Sequence, residues 1–132
     1  MEADKIINEI DIGTLIKNVY IMKDEGARLV QICCVKEPAG KGQALFFELH
    51  YTFDKGYQLR GYKIRITPDT EILSITGIYP SAFLYENEMH DLFGIRVIGI
   101  NIDYKGTFYK LAKPRPFNPE SENSEEAAEK AV

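Results

Sequence analysis

The residues Leu45, Phe47, Leu49, Tyr51 and Phe53 alternate with Phe46, Glu48, His50 and Thr52, so the stretch Ala44 to Phe53 carries one wholly apolar face. A period of two over this length specifies a strand with one face buried, and that face must be covered by another layer. Asp54-Lys55-Gly56 then turns the chain, and Tyr57 to Ile66 reads as a second long strand, which makes an antiparallel hairpin. Tyr62, Ile64 and Ile66 are out of step with Leu59 across Gly61, a phase change that predicts a bulge at the glycine. On this reading His50 is a solvent-face residue.

The flanking segments supply the covering layer. Ile12, Leu15, Ile16, Val19 and Met22 recur at the spacing of one helix face, with Asp11 or Thr14 as the N-cap and Gly26 as the close. Tyr20 and Ile21 would broaden the buried face of that helix. Lys5 to Ile10 reads as a short strand before it. Arg28 to Lys36 reads as a β-branched strand after it, with Val30, Ile32 and Cys34 on one side and Leu29, Gln31, Cys33 and Val35 on the other. Thr67-Pro68-Asp69-Thr70 is a turn, Glu71 to Ile75 a short extended segment, and Ile95 to Ile102 a final apolar run interrupted by Gly99. No internal repeat occurs. The expected fold is a single α+β domain, a mainly antiparallel sheet packed with two helices.

At 132 residues the chain holds one core. Its net charge of -4 argues against nucleic acid, which calls for a basic stripe. No apolar run reaches the roughly 20 residues that span a bilayer, and Met1-Glu2-Ala3-Asp4 is not the basic start of a signal peptide, so an intracellular, soluble protein is expected. The adjacent Cys33 and Cys34 point to opposite faces of a strand and are expected to be reduced packing residues. Glu37-Pro38-Ala39-Gly40-Lys41-Gly42 lacks the Lys-Ser or Lys-Thr helix start of a phosphate loop.

The most informative block is Ile78 to Ile95. Pro80 fits the first turn of a helix and Gly94 its left-handed C-terminal cap. At about 100° per residue, Ala82, Tyr85, Met89, Leu92 and Phe93 share an apolar arc. Glu86 and Glu88 lie on its borders and Asp91 roughly opposite it, with no Lys or Arg between Tyr79 and Ile95. The expectation is a docking helix. Tyr85, Met89, Leu92 and Phe93 would face the domain's own sheet. Phe83, Leu84, Asn87 and Asp91 would face a neighbour, and the carboxylates of Asp91 and of either Glu86 or Glu88, the choice between the two being open, would form halves of intersubunit ion pairs.

Catalytic constellations are sparse. Glu86 and Glu88 stand about 200° apart around a helix and cannot flank one bond. Glu86 and His90, at i and i+4, do share a face and could ligate a metal, which leaves a small metal-dependent enzyme as an alternative; His50 is the only other histidine. No Gly-x-Ser-x-Gly occurs. Beyond residue 103 the character changes. Residues 104–117 mix aromatics, lysines and prolines without a period, an arm that either lies along another protein, with Phe108, Tyr109 and Arg115 as candidate partner contacts, or packs on its own domain. Residues 118–132 read as a disordered acidic tail, leaving 1–103 as the folded unit.

Tyr79-Pro80-Ser81-Ala82, Tyr85-Glu86-Asn87-Glu88 and Asp91-Leu92-Phe93-Gly94-Ile95 together closely resemble the 30-kDa subunit (C-subunit) family of respiratory complex I. That family carries a proline-small-small turn, a glutamate-arginine-glutamate helix and an aspartate-hydrophobic-phenylalanine-glycine-isoleucine end. Asn87 stands where the family usually has arginine. The family's glycine-histidine-proline-aspartate continuation is replaced by Gly99-Ile100-Asn101-Ile102-Asp103-Tyr104-Lys105-Gly106. The short chain and the wording Phe83 to Asp91 are more similar to the small homologue in membrane-bound energy-converting nickel–iron hydrogenases. The resemblance implies a cofactor-free subunit of a hetero-oligomer, peripheral on the cytoplasmic side of the membrane. It would clamp a large catalytic subunit and an iron–sulfur small subunit, which carry the [NiFe] centre and [4Fe-4S] clusters of a ferredoxin-linked, ion-translocating complex. The alternative it implies is the 30-kDa subunit of a complex-I-like NADH or F420H2:quinone-type oxidoreductase.

Overall fold

A computed structural model of the chain describes residues 5–100. The expectations for the arm over 104–117, with Phe108, Tyr109 and Arg115, and for the tail over 118–132 lie outside those residues. The described chain runs β1 (Ile6–Glu9), a 3-10 turn (Ile12–Thr14), α1 (Leu15–Asp24), β2 (Arg28–Lys36), β3 (Phe47–Lys55), β4 (Gln58–Ile66), β5 (Glu71–Leu73), α2 (Ala82–Phe93) and β6 (Arg96–Ile98). The fold is a single α+β domain with two helices, as expected.

The main sheet has the order β1-β4-β3-β2. Its β2–β3 and β3–β4 pairings are antiparallel, and β1 adds in parallel along β4. A second, two-stranded sheet pairs β5 with β6 in parallel. The alternation in β3 does what its period requires: Phe47, Leu49, Tyr51 and Phe53 all have no solvent exposure. Ile64 and Ile66 of β4 and Ile32 of β2 extend that buried face. Each such side chain contributes about 1.5–3 kcal/mol relative to an exposed one. Leu15, Val19 and Met22 of α1 are buried, with Ile12 and Ile16 packed at the margin of the core. α2 lies on β2, where the Tyr85 hydroxyl donates to the Val30 carbonyl at 2.8 Å, and Phe93 meets Phe47 edge to face at 5.8 Å.

Four sequence expectations need correction. The register from Phe47↔Ile66 to Lys55↔Gln58 runs without a break, so no bulge occurs at Gly61; the irregularity falls instead on β2, between Leu29 and Gln31. Leu59 and Gly61 lie on the face opposite Tyr62, and Gly61 is the register partner of Ile7 where β1 pairs alongside β4, with the Lys5 and Ile7 side chains over it. A methyl group on it would sit 3.3 Å from Cε of Lys5 and 3.6 Å from Ile7. Tyr20 and Ile21 do not widen the buried face of α1 but stand exposed. Neither Asp11 nor Thr14 caps a helical N–H with its side chain, because the 3-10 turn precedes α1 and the Thr14 hydroxyl donates back to the Asp11 carbonyl. Lastly, Pro80 precedes α2 rather than opening it, since turns closed by Ala82 N–H to Tyr79 and Phe83 N–H to Pro80 lead into the helix.

Candidate functional site: α2 and the segment it anchors

Both ends of α2 are fixed by the chain's own atoms. At the C-terminus Gly94 adopts a left-handed conformation, φ +74°, and its N–H donates to the His90 carbonyl at 2.9 Å. Only glycine enters that region without steric penalty, and the reversal sends the chain directly into β6. At the N-terminal side Tyr79 acts as a pin. Its buried hydroxyl donates to the Ala27 carbonyl at 2.7 Å, its ring lies 5.5 Å from that of Phe53, and the Lys23 ammonium sits 5.0 Å from its centre.

Glu86 is the central residue, and it points inward. Fully buried, it accepts from the Ser74 hydroxyl at 2.6 Å on one oxygen and from the Ile75 backbone N–H at 2.8 Å on the other. The Ser74 oxygen also accepts from the Thr76 N–H at 3.0 Å and lies 2.6 Å from the Thr76 hydroxyl. One carboxylate therefore organises the non-regular segment between β5 and α2. Burial pushes the Glu86 carboxyl above its ordinary value, while the Ser74 and Ile75 hydrogen bonds pull the other way. The fully buried Tyr51 phenol is also pushed up, by desolvation first and by Glu86 and Cys34 in addition.

The rest of the helix departs from the expected orientation in the same sense. Asn87 is fully buried and its amide donates to the Phe83 carbonyl at 2.8 Å. Asp91 is buried too, with its carboxylate 3.5 Å from Nδ1 of His90. Asn87 and Asp91 are thus buried where exposure is expected, and both Glu86 oxygens are engaged within the domain. Phe83 and Glu88 are half-buried, and Leu84 remains exposed. The buried set Ala82, Glu86, Asn87, Met89 and Asp91 is wider than the apolar arc, so α2 is enclosed on more than one side.

As a metal pair, Glu86 and His90 are poorly placed. Both Glu86 oxygens already accept hydrogen bonds, and among the described residues no group of three His, Cys, Asp or Glu side chains could hold an ion. Cys33 and Cys34 are half-buried free thiols on opposite strand faces; burial pushes Cys34 up to about 12 and Cys33 upward as well, against a pull downward on Cys33 by Lys5. The sequence pattern does not reveal a second exposed apolar pair. Leu73 and Ile98 are register partners on β5 and β6 and both are open to solvent. Their signal is the step from buried Ile72 to Leu73 in a three-residue strand, too short for a period of two to register.

Residues 9–105 match the family described as respiratory-chain NADH dehydrogenase, 30 Kd subunit. The chain belongs to this family. It is 32% identical over 124 residues to the NADH-quinone oxidoreductase C-subunit of Ruegeria pomeroyi, covering 86% of this chain and 60% of the relative. It is 30% identical over 86 residues to the corresponding C-subunit of Phenylobacterium zucineum, covering 61% of this chain and 39% of the relative. This 30 Kd-family chain therefore spans at most about three-fifths of these curated relatives. Its fold is shared with a chain in the structure of the membrane-bound sulfane sulfur reductase, an archaeal respiratory membrane complex, at a TM-score of 0.72 and 22% identity over 89% of this chain and 70% of that one. In the 30 Kd-family domain seen here, the block that carries the resemblance is the block that pins α2. No helix among the described residues is long and apolar enough to cross a membrane.

Proposed function

We propose that the chain is a non-catalytic docking subunit of a membrane-bound, complex-I-like oxidoreductase. It would sit between the large catalytic subunit and the iron–sulfur small subunit, peripheral on the cytoplasmic side, with the cofactors held by those partners. The observation that supports this reading is how the family-like block is built. Tyr79 and Glu86 hold α2 and its approach to the rest of the domain, Asn87 and Gly94 are occupied by carbonyls of α2 itself, and Leu84, Leu73 and Ile98 are left exposed for contact. The interface we infer is therefore apolar at its centre, through Leu84 and the flanking Phe83, with Glu88 at its rim, in place of a row of carboxylates.

Within this class we favour the energy-converting [NiFe] hydrogenase, ferredoxin-linked and ion-translocating, on the resemblance of Phe83 to Asp91. The second reading, the 30-kDa subunit of a quinone-reducing complex, is favoured by the two curated relatives. Native purification of the tagged full-length chain from its own cells decides between them. Co-purification of a [NiFe]-type large subunit with ferredoxin-driven hydrogen evolution supports the first reading. NADH dehydrogenase subunits with quinone reduction support the second, and recovery of neither overturns both. Leu84→Glu should reduce recovery of the partner subunits about tenfold, as for loss of one well-packed interface residue, with the melting temperature of the chain unchanged.

A further inference from the structure

The β3–β4 hairpin closes at the pair Lys55↔Gln58, so Gly56 and Tyr57 form a two-residue turn. Both have positive φ, +56° and +69°, as a type I′ hairpin turn requires. Glycine suits the first position. Tyrosine is a poor occupant of the second, because the left-handed region brings its Cβ against the following carbonyl, and the residues that ordinarily fill it are glycine and asparagine. Tyr57 is the one non-glycine residue with positive φ among the described residues. Nor does the domain use the ring, since the residue is 96% exposed. The fold thus carries a conformational strain at this tip for a side chain it does not pack. Such strain, where it persists, points to a use outside the fold.

We propose that Tyr57 is an anchor that inserts its ring into an apolar pocket of a neighbouring protein subunit. The inference rests on the reading of the chain as a member of a larger complex. A two-residue turn fixes the backbone that carries the tyrosine before binding, so only the two side-chain torsions lose freedom when the ring is enclosed, and tyrosine is prominent among residues that dominate interface energetics. Charge selects a protein surface over a lipid or nucleic-acid phosphate. Two of the three cations beside the tip are answered within the domain, Arg28 by Asp54 at 3.1 Å and Lys55 by Glu25 at 3.4 Å, and the third, Arg60, is half-buried with its guanidinium on the neutral Gln58 amide oxygen at 3.5 Å. A phosphate-binding tip would present such cations unneutralised.

The experiment uses the tagged full-length chain recovered with its complex, with Tyr57→Asn to remove the ring and relax the turn and Tyr57→Phe to keep the ring. Asn should leave the melting temperature of the isolated chain unchanged or raised, and lower recovery of partner subunits about tenfold, while Phe recovers them within about twofold of wild type. Wild-type recovery with the Asn variant, against reduced recovery with Leu84→Glu, overturns the anchor and spares the docking reading. A lowered melting temperature for Asn overturns it as well, by showing that the domain uses the ring. Tyr57-dependent flotation of the chain with vesicles of anionic phospholipid overturns the protein partner, and failure of the wild-type chain to recover any partner subunit overturns both proposals.

Discussion

Replacing Glu86 separates the two roles its carboxylate could have, that of a charge and that of a hydrogen-bond hub. Glu86→Ala removes the acceptor of the buried Ile75 N–H and of the half-buried Ser74 hydroxyl. A buried donor left without a partner costs about 1–3 kcal/mol, and the truncation leaves a void in addition. Part of this is returned, because a carboxyl that burial penalises is no longer enclosed, so the expected net loss is about 2–4 kcal/mol. Glu86→Gln keeps the shape. Its amide oxygen can accept from Ile75 and its NH2 can donate to the Ser74 oxygen, the arrangement a protonated Glu86 would also adopt, so the expected loss is under about 1 kcal/mol. Urea unfolding of the full-length chain, read as the midpoint at constant m, measures both.

The pH dependence carries a definite sign. The Glu86 carboxyl is raised in the folded state, by burial more than its hydrogen bonds lower it. The folded chain therefore binds the proton more readily than the unfolded one. Its contribution to stability is fully present below the ordinary carboxylate value and is lost as pH rises through the raised folded value. Across that window wild type should lose stability relative to Glu86→Gln. The comparison with Gln is needed because Glu48, held below its ordinary value by its Lys63 hydrogen bond, contributes stability that is lost as pH falls, and this is common to both chains. A flat or opposite difference, or a Gln variant as weak as Ala, would refute the assignment of Glu86 as a buried hub.

Two further outcomes test the fixation of α2. Tyr79→Phe deprives the Ala27 carbonyl of its 2.7 Å donor and should lower stability by about 1–2 kcal/mol, seen as a drop of roughly 3–8 °C in a thermal melt. Gly94→Ala forces a side chain into φ +74° and should cost about 1–2 kcal/mol, with faster amide exchange at residue 94, whose N–H closes the helix on His90; Gly94→Asn should cost less.

Elements with several repeats of their period are readable. Composition bounds β2 correctly, and alternation gives the buried face of β3, because nine residues hold several repeats of a period of two. Gly61 misleads for a different reason. A phase change and a glycine in one strand can mean a bulge or a site overlain by a neighbouring strand's side chains, and only the position of β1, set by parallel pairing across a long sequence separation, distinguishes them. The shift of β4's start from Tyr57 to Gln58 has a related origin, since the two-residue turn takes the tyrosine out of the ladder.

The site shows where polarity misleads as a guide to orientation. Ala82, Glu86, Met89 and Phe93 lie at i, i+4, i+7 and i+11, the spacing of an inner helical seam, and Glu86 belongs to that seam although its charge suggests the surface. What overrides the charge is a demand made elsewhere in the chain. The Ser74 N–H still donates to the Ile98 carbonyl of β6 at 2.8 Å, but beyond it the segment leaves the ladder and turns beneath α2, so the Ile75 and Thr76 N–H groups go to side-chain oxygens instead, those of Glu86 and Ser74. A buried donor needs an acceptor, and an acidic side chain on the inner seam supplies two oxygens to one bend. Acids on a helix without nearby lysines therefore indicate unsatisfied donors as readily as absent cations. The adjacent hydroxyls of Ser74 and Thr76, one turn-forming segment upstream, are the sequence sign by which the first case can be told from the second.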